Sequence, residues 1–84
     1  MCCSETVSAI VGLELASGVA SPPHNLQGGR VKRVVTPGTN SGPITLVFGR
    51  ITIGPGVDAE VDIDCPAQLT GTSGDAITLF LAGV

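Results

Sequence analysis

The chain has 84 residues, seven acids against four bases for a net charge of −3, and an apolar content of 43% that is almost entirely aliphatic. That length admits one small domain spanning residues 1–84 and excludes a multidomain architecture. The negative balance argues against free nucleic acid as a direct partner, and no uninterrupted apolar run approaches the ~20 residues of a membrane helix.

Helix signals are nearly absent. Twelve Gly and six Pro punctuate the chain, and β-branched residues fill the gaps. The expected fold is therefore all-β: a small antiparallel sandwich or barrel-like domain of about five strands, with a long Pro/Gly loop. Residues 1–5 read as an N-terminal tail. A first strand is expected from Thr6 to Leu15, with Val7, Ala9, Val11, Leu13 and Leu15 on one face and Ser8, Ile10, Gly12 and Glu14 on the other. Residues 16–29 form a long loop or arm. Its Ser21-Pro22-Pro23-His24 segment is extended, because each proline restricts the residue before it.

A second strand is expected over Arg30 to Thr36, and Pro37 to Pro43 is a turn rich in turn formers. A third strand is expected over Ile44 to Ile53. Its apolar phase changes midway, from even positions (Ile44, Leu46, Phe48) to odd ones (Ile51, Ile53), which predicts a bulge or bend at Gly49. Gly54-Pro55-Gly56 then predicts a tight hairpin into the next strand. That strand, Val57 to Asp64, alternates strictly: Val57, Ala59, Val61 and Ile63 take one face, and Asp58, Glu60, Asp62 and Asp64 the other. Four of the seven acids thus form a carboxylate ladder on an open face. Thr70 to Asp75 is a further turn. The final strand, Ala76 to Val84, is apolar on both faces, so it should be central or covered by another subunit.

The three bases Arg30, Lys32 and Arg33 lie in one short run. The run is either a solvated strand end or a contact for an acidic surface, and the nearest acidic surface is the ladder, on a neighbouring strand or subunit. Cys2, Cys3 and Cys65 are an odd number and close no complete intrachain framework. With no signal peptide in the first residues, free thiols and synthesis in a reducing cytoplasm are expected. Together with His24 these cysteines offer zinc-type ligands, but at spacings that match no zinc signature. Alternate acids on a strand stand ~6.5–7 Å apart, too wide for one calcium ion. No metal or cofactor is therefore expected. A single His, no Tyr and no base in pattern beside a nucleophile argue against an enzyme.

The favoured function is a structural one. Val-Val-Thr-Pro-Gly-Thr-Asn-Ser-Gly-Pro-Ile-Thr-Leu, starting at Val34, and Leu-Thr-Gly-Thr-Ser-Gly-Asp-Ala-Ile-Thr-Leu, starting at Leu69, resemble the texture of small virion proteins of tailed phages, of the capsid decoration (cement) type. The resemblance lies in short, aliphatic, Gly/Thr/Pro-rich β-segments and carries over no individual residue. It implies repeated copies bound to a major capsid protein, in a virion assembled in the host cytoplasm. Two alternatives stand beside it: another virion part, such as a tail, connector or spike component, and a small cytoplasmic ligand-binding β-module.

Oligomerisation is expected on physical grounds as well. A chain of this length buries only about 60–65% of its unfolded surface, so its aliphatic surplus calls for a neighbour. The candidate contacts are Pro22, Pro23 and His24 in the loop, the charged residues Arg30, Lys32, Arg33, Asp58, Glu60 and Asp62, and Leu79 and Phe80 on the final strand.

Overall fold

A computed structural model describes residues 7–26, 28–46 and 51–83. The chain alternates between two antiparallel sheets. Strands β1 (Ala9–Glu14), β8 (Ala76–Ala82), β3 (Arg30–Val35) and β6 (Asp58–Asp64) form one sheet, in the order β1-β8-β3-β6. Strands β2 (Val19–Ala20), β7 (Leu69–Thr70), β4 (Ile44–Leu46) and β5 (Ile51–Ile53) form the other, in the order β2-β7-β4-β5. The result is the expected all-β sandwich. Its core is aliphatic: Leu15, Val31, Val34, Ile44, Leu46, Ile53, Leu69, Ile77, Leu79 and Leu81, with Cys65 at the margin.

Period-two burial explains most of the strand assignments. β1 alternates half-buried Ala9, Val11 and Leu13 with exposed Ile10, Gly12 and Glu14. β6 alternates half-buried Ala59, Val61 and Ile63 with its exposed acids. β8 buries Ile77, Leu79 and Leu81 and lies between β1 and β3, so the apolar final strand is central within its own chain.

Four expectations are corrected. Ile44 to Ile53 is not one bent strand but two, β4 and β5, paired with Ile44 opposite Ile53 and Leu46 opposite Ile51. In that register an even residue faces an odd one, so the change of apolar phase records a chain reversal rather than a bulge. Phe48 and Gly49 themselves lie outside the described residues. Second, Gly54-Pro55-Gly56 does not close a hairpin. β5 pairs with β4 and β6 with β3, so this turn carries the chain from one sheet to the other. It is held by Thr36, whose hydroxyl donates to the Gly54 carbonyl at 2.6 Å and accepts from the Val57 amide at 2.9 Å.

Third, the segment after β1, expected as a loop throughout, holds a short strand and a 3-10 turn among its described residues. Ser17 (φ 55) and Gly18 (φ 82) carry the positive φ pair of a primed hairpin turn, and the Val19 amide donates to the Ala16 carbonyl at 3.1 Å. Beyond β2, His24–Leu26 forms a 3-10 turn and Leu26 packs against the core. The short strands β2 and β7, with the split of the third, raise the strand number from about five to eight among the described residues.

Fourth, Val7 leaves the core face. Ala9 stands opposite Leu81, yet the Ser8 amide also donates to the Leu81 carbonyl, at 2.8 Å. Two residues thus oppose one at the start of β1, the alternation slips, and Val7 is exposed. The expected N-terminal tail lies outside the described residues.

Candidate functional site

The charged face is built by β3 and β6 together. β3 departs from strict alternation: Val31 and Val34 are both fully buried although three residues apart, and its pairing with both neighbours shifts register between Val31 and Arg33. The bulge at Lys32 turns Arg30, Lys32 and Arg33 to one side. In a regular strand one of the flanking bases would share a face with a core valine. The outward side of β3 therefore carries three bases and Val35 opposite the wholly acidic outward side of β6.

The two rows close on each other. Arg30 Nε donates to Asp62 Oδ1 at 2.6 Å, and its Nη1 to Asp64 Oδ1 at 2.8 Å. Lys32 Nζ shares the same Asp62 oxygen at 3.0 Å. Arg33 grips Asp58 with two bonds, Nε to Oδ1 at 2.7 Å and Nη2 to Oδ2 at 2.6 Å. The Arg33 guanidinium also lies over the Phe80 ring, 5.6 Å from its centroid. Hydrogen bonds from Arg33 hold the Asp58 carboxyl below its usual range, and those from Arg30 and Lys32 do the same for Asp62. Glu60 stands opposite Arg33 in the ladder and makes no ion pair among the described residues. Such solvent-exposed pairs add little stability one by one. Their geometric effect is to fix which bases meet which acids, and so the register of the edge strand.

The ladder thus meets the basic run on the neighbouring strand of the same chain. The remaining expected contacts separate. Pro22 is buried, whereas Pro23 and His24 are exposed. Leu79 is fully buried in its own core, so it is not available as a contact for a partner; strand alternation sends it inward and leaves Phe80 half-buried on the outward face. Cys65 is buried at the end of β6, and burial pushes its thiol pKa up. Cys2 and Cys3 lie outside the described residues. Among the described residues no group of three or more His, Cys, Asp or Glu side chains could hold a metal ion.

Sequence reasoning missed two sets of residues. One is a pair of Asx side chains that lock the turns. Asn40 pairs with the Ala76 backbone like a strand residue, Nδ2 donating to its carbonyl at 2.8 Å and Oδ1 accepting from its amide at 2.9 Å. Asp75, 4% exposed, accepts from the Ser41 amide at 2.8 Å and the Gly42 amide at 3.1 Å. Both residues lay in segments read only as turns.

The other set is the exposed apolar one: Val7 at 39%, Ile10 at 64% and Val19 at 42%. Ile10 carried a signal, being the one large apolar residue on the polar face of the first strand. The surface of 4508 Å² is close to the about 4600 Å² expected of a folded monomer of this size. Among the described residues these three are the large apolar side chains left exposed.

No family model, no curated protein and no solved structure matches the chain.

Proposed function

We propose that the protein is a structural subunit that acts by surface binding in a symmetric assembly, in its most specific form a decoration protein on a virion shell. The observation that carries the reading is how the side chains are divided. The bases Arg30, Lys32 and Arg33 and the acids Asp58, Asp62 and Asp64 are spent on bracing one sheet. The large apolar side chains Val7, Ile10 and Val19 are left outside a core that is already filled. A braced plate with apolar contacts at its margin suits repeated docking, because little conformational freedom is lost on binding. The virion version draws its support from the sequence texture that starts at Val34 and Leu69.

The test is native mass measurement of the protein purified from its source, followed by rebinding to the particle it came with. Co-purification with a large shell, and saturable rebinding at a fixed copy number, is the expected result. A stable monomer that binds a small molecule and no particle overturns the reading.

A further inference from the structure

We propose that β1 is a self-association edge: a second copy of this chain adds its own β1 antiparallel, with Val11 on the twofold axis, to join two four-stranded sheets into one. The proposal rests on the subunit reading above and names the partner of one surface.

The backbone is suited to it. Among the described residues β1 has β8 on one side and no strand on the other. The Leu15 amide bonds the Asp75 carbonyl. In an antiparallel ladder bonded residues alternate, so the odd residues of β1 face β8, and Ile10, Gly12 and Glu14 direct their amides and carbonyls outward. An edge of this kind is a template for another strand unless it is blunted. The opposite edge, β6, is blunted by four acids in seven residues. β1 has neither Lys nor Pro, and its one charge is Glu14 at the end.

The side chains are self-complementary in one register. A twofold axis at Val11, perpendicular to the sheet, keeps outward faces together and sets Ile10 opposite Gly12 of the second copy, twice. Ile10 is the most exposed of the large apolar residues, and a Cβ added at Gly12 would meet nothing within 4 Å. The bulky side chain thus lies over the position that has none. On the inward side the same register sets Ala9 opposite Leu13, again small against large. Ile10 and Gly12 are both outward-bonding residues, so each pair can exchange two backbone hydrogen bonds.

Charge points to the same partner. The two Glu14 side chains fall at opposite ends of a β1 pair. Two β6 edges brought together would set carboxylate against carboxylate, which is destabilising. The third exposed apolar residue, Val19, lies on β2, the edge of the other sheet on the same side of the sandwich as β1. Burial of Ile10 covers the most exposed large apolar side chain of the described residues.

The experiment is sedimentation equilibrium of the full chain over a concentration series, with Ile10→Lys and Gly12→Val. The chain should dimerise, and each substitution should weaken dimerisation by roughly tenfold or more, as loss of a well-packed central contact does. Circular dichroism and the urea midpoint should show both variants folded. Position 10 is exposed and position 12 opens onto space, so neither change disturbs the chain's own core. Register is read separately. In a Cys2→Ser, Cys3→Ser, Cys65→Ser background, Val11→Cys should form a disulfide-linked dimer on mild oxidation, and Leu13→Cys should not.

A chain that stays monomeric to roughly 1 mM, folded variants that dimerise as tightly as the parent, or equal cross-linking at positions 11 and 13 overturns the proposal. Shell binding is scored independently. A monomer that binds particles ends the β1 proposal and spares the subunit reading, whereas a dimer that binds none does the reverse.

Discussion

Arg33 closes a two-bond fork on the Asp58 carboxylate, at 2.7 and 2.6 Å, from a β3 position that only a bulge turns outward. The fork couples a backbone irregularity to a charge pattern. Without the slip at Lys32, Val31 and Val34 could not both face the core while all three bases face the acids. The relationship sets several expectations for solution measurements.

Acid should weaken the fold through this face. The Asp58 and Asp62 carboxyls are held below their usual range by hydrogen bonds from Arg33, Arg30 and Lys32. A depressed folded-state pKa contributes stability that is present above the unfolded value of about 3.9 and lost as pH falls through the folded one. The urea midpoint should therefore be insensitive to these groups between about pH 5 and 7 and should drop below about pH 4. A variant with Asp58→Asn, Glu60→Gln and Asp62→Asn should stay folded and lose this acid limb. An unchanged limb, or global unfolding of the variant at neutral pH, contradicts the assignment.

Asp75→Ala should destabilise the domain by about 1–3 kcal/mol, the cost of leaving part-buried amides without an acceptor. The amides are those of Ser41 and Gly42. Hydrogen exchange should quicken at these two positions more than in β6. Equal protection in variant and parent would remove Asp75 from its role as the pin of this turn.

Gly18→Ala should cost more than about 1 kcal/mol, because a left-handed backbone disfavours any Cβ. Gly18 has φ +82, and its added Cβ would meet the Gly71 carbonyl oxygen at 2.9 Å. Gly54→Ala is the control, since a Cβ there meets nothing within 4 Å. Thermal midpoints of the two variants should separate clearly; equal midpoints would show that the Ala16–Val19 turn relaxes freely.

Stopping the chain after Asp75 should abolish folding, because it removes β8 from between β1 and β3. In the intact chain Leu79→Ala should cost about 2–5 kcal/mol, the range for a buried large-to-small change, and Phe80→Ala should cost less, its ring being half-buried. Denaturant titrations rank the two. A larger effect at Phe80 would mean that the outward face of β8 is the better packed one.

The sequence by itself determined which residues lie on which side of the two strictly alternating strands, β1 from Ala9 onward and β6. Alternation over Ala9–Glu14 and Asp58–Asp64 is a local steric property, legible without knowledge of neighbours, whereas the apolar run Ala76–Ala82 took its inward and outward sides only from its place in the sheet. It also made the acid ladder stand out. Tertiary structure alone decided which strands lie side by side. β3 meets β6 and β8 across long stretches of chain, and among the described residues β4 and β5 are the only successive strands that share a sheet. A phase change in the apolar pattern fits a bulge or a reversal equally well until a partner strand is present. The change within Ile44 to Ile53 proved to be a reversal and that between Val31 and Val34 a bulge, because each choice fills the same shared core. Pairing energy depends on the whole set of contacts closing together, and no local window of residues contains that set.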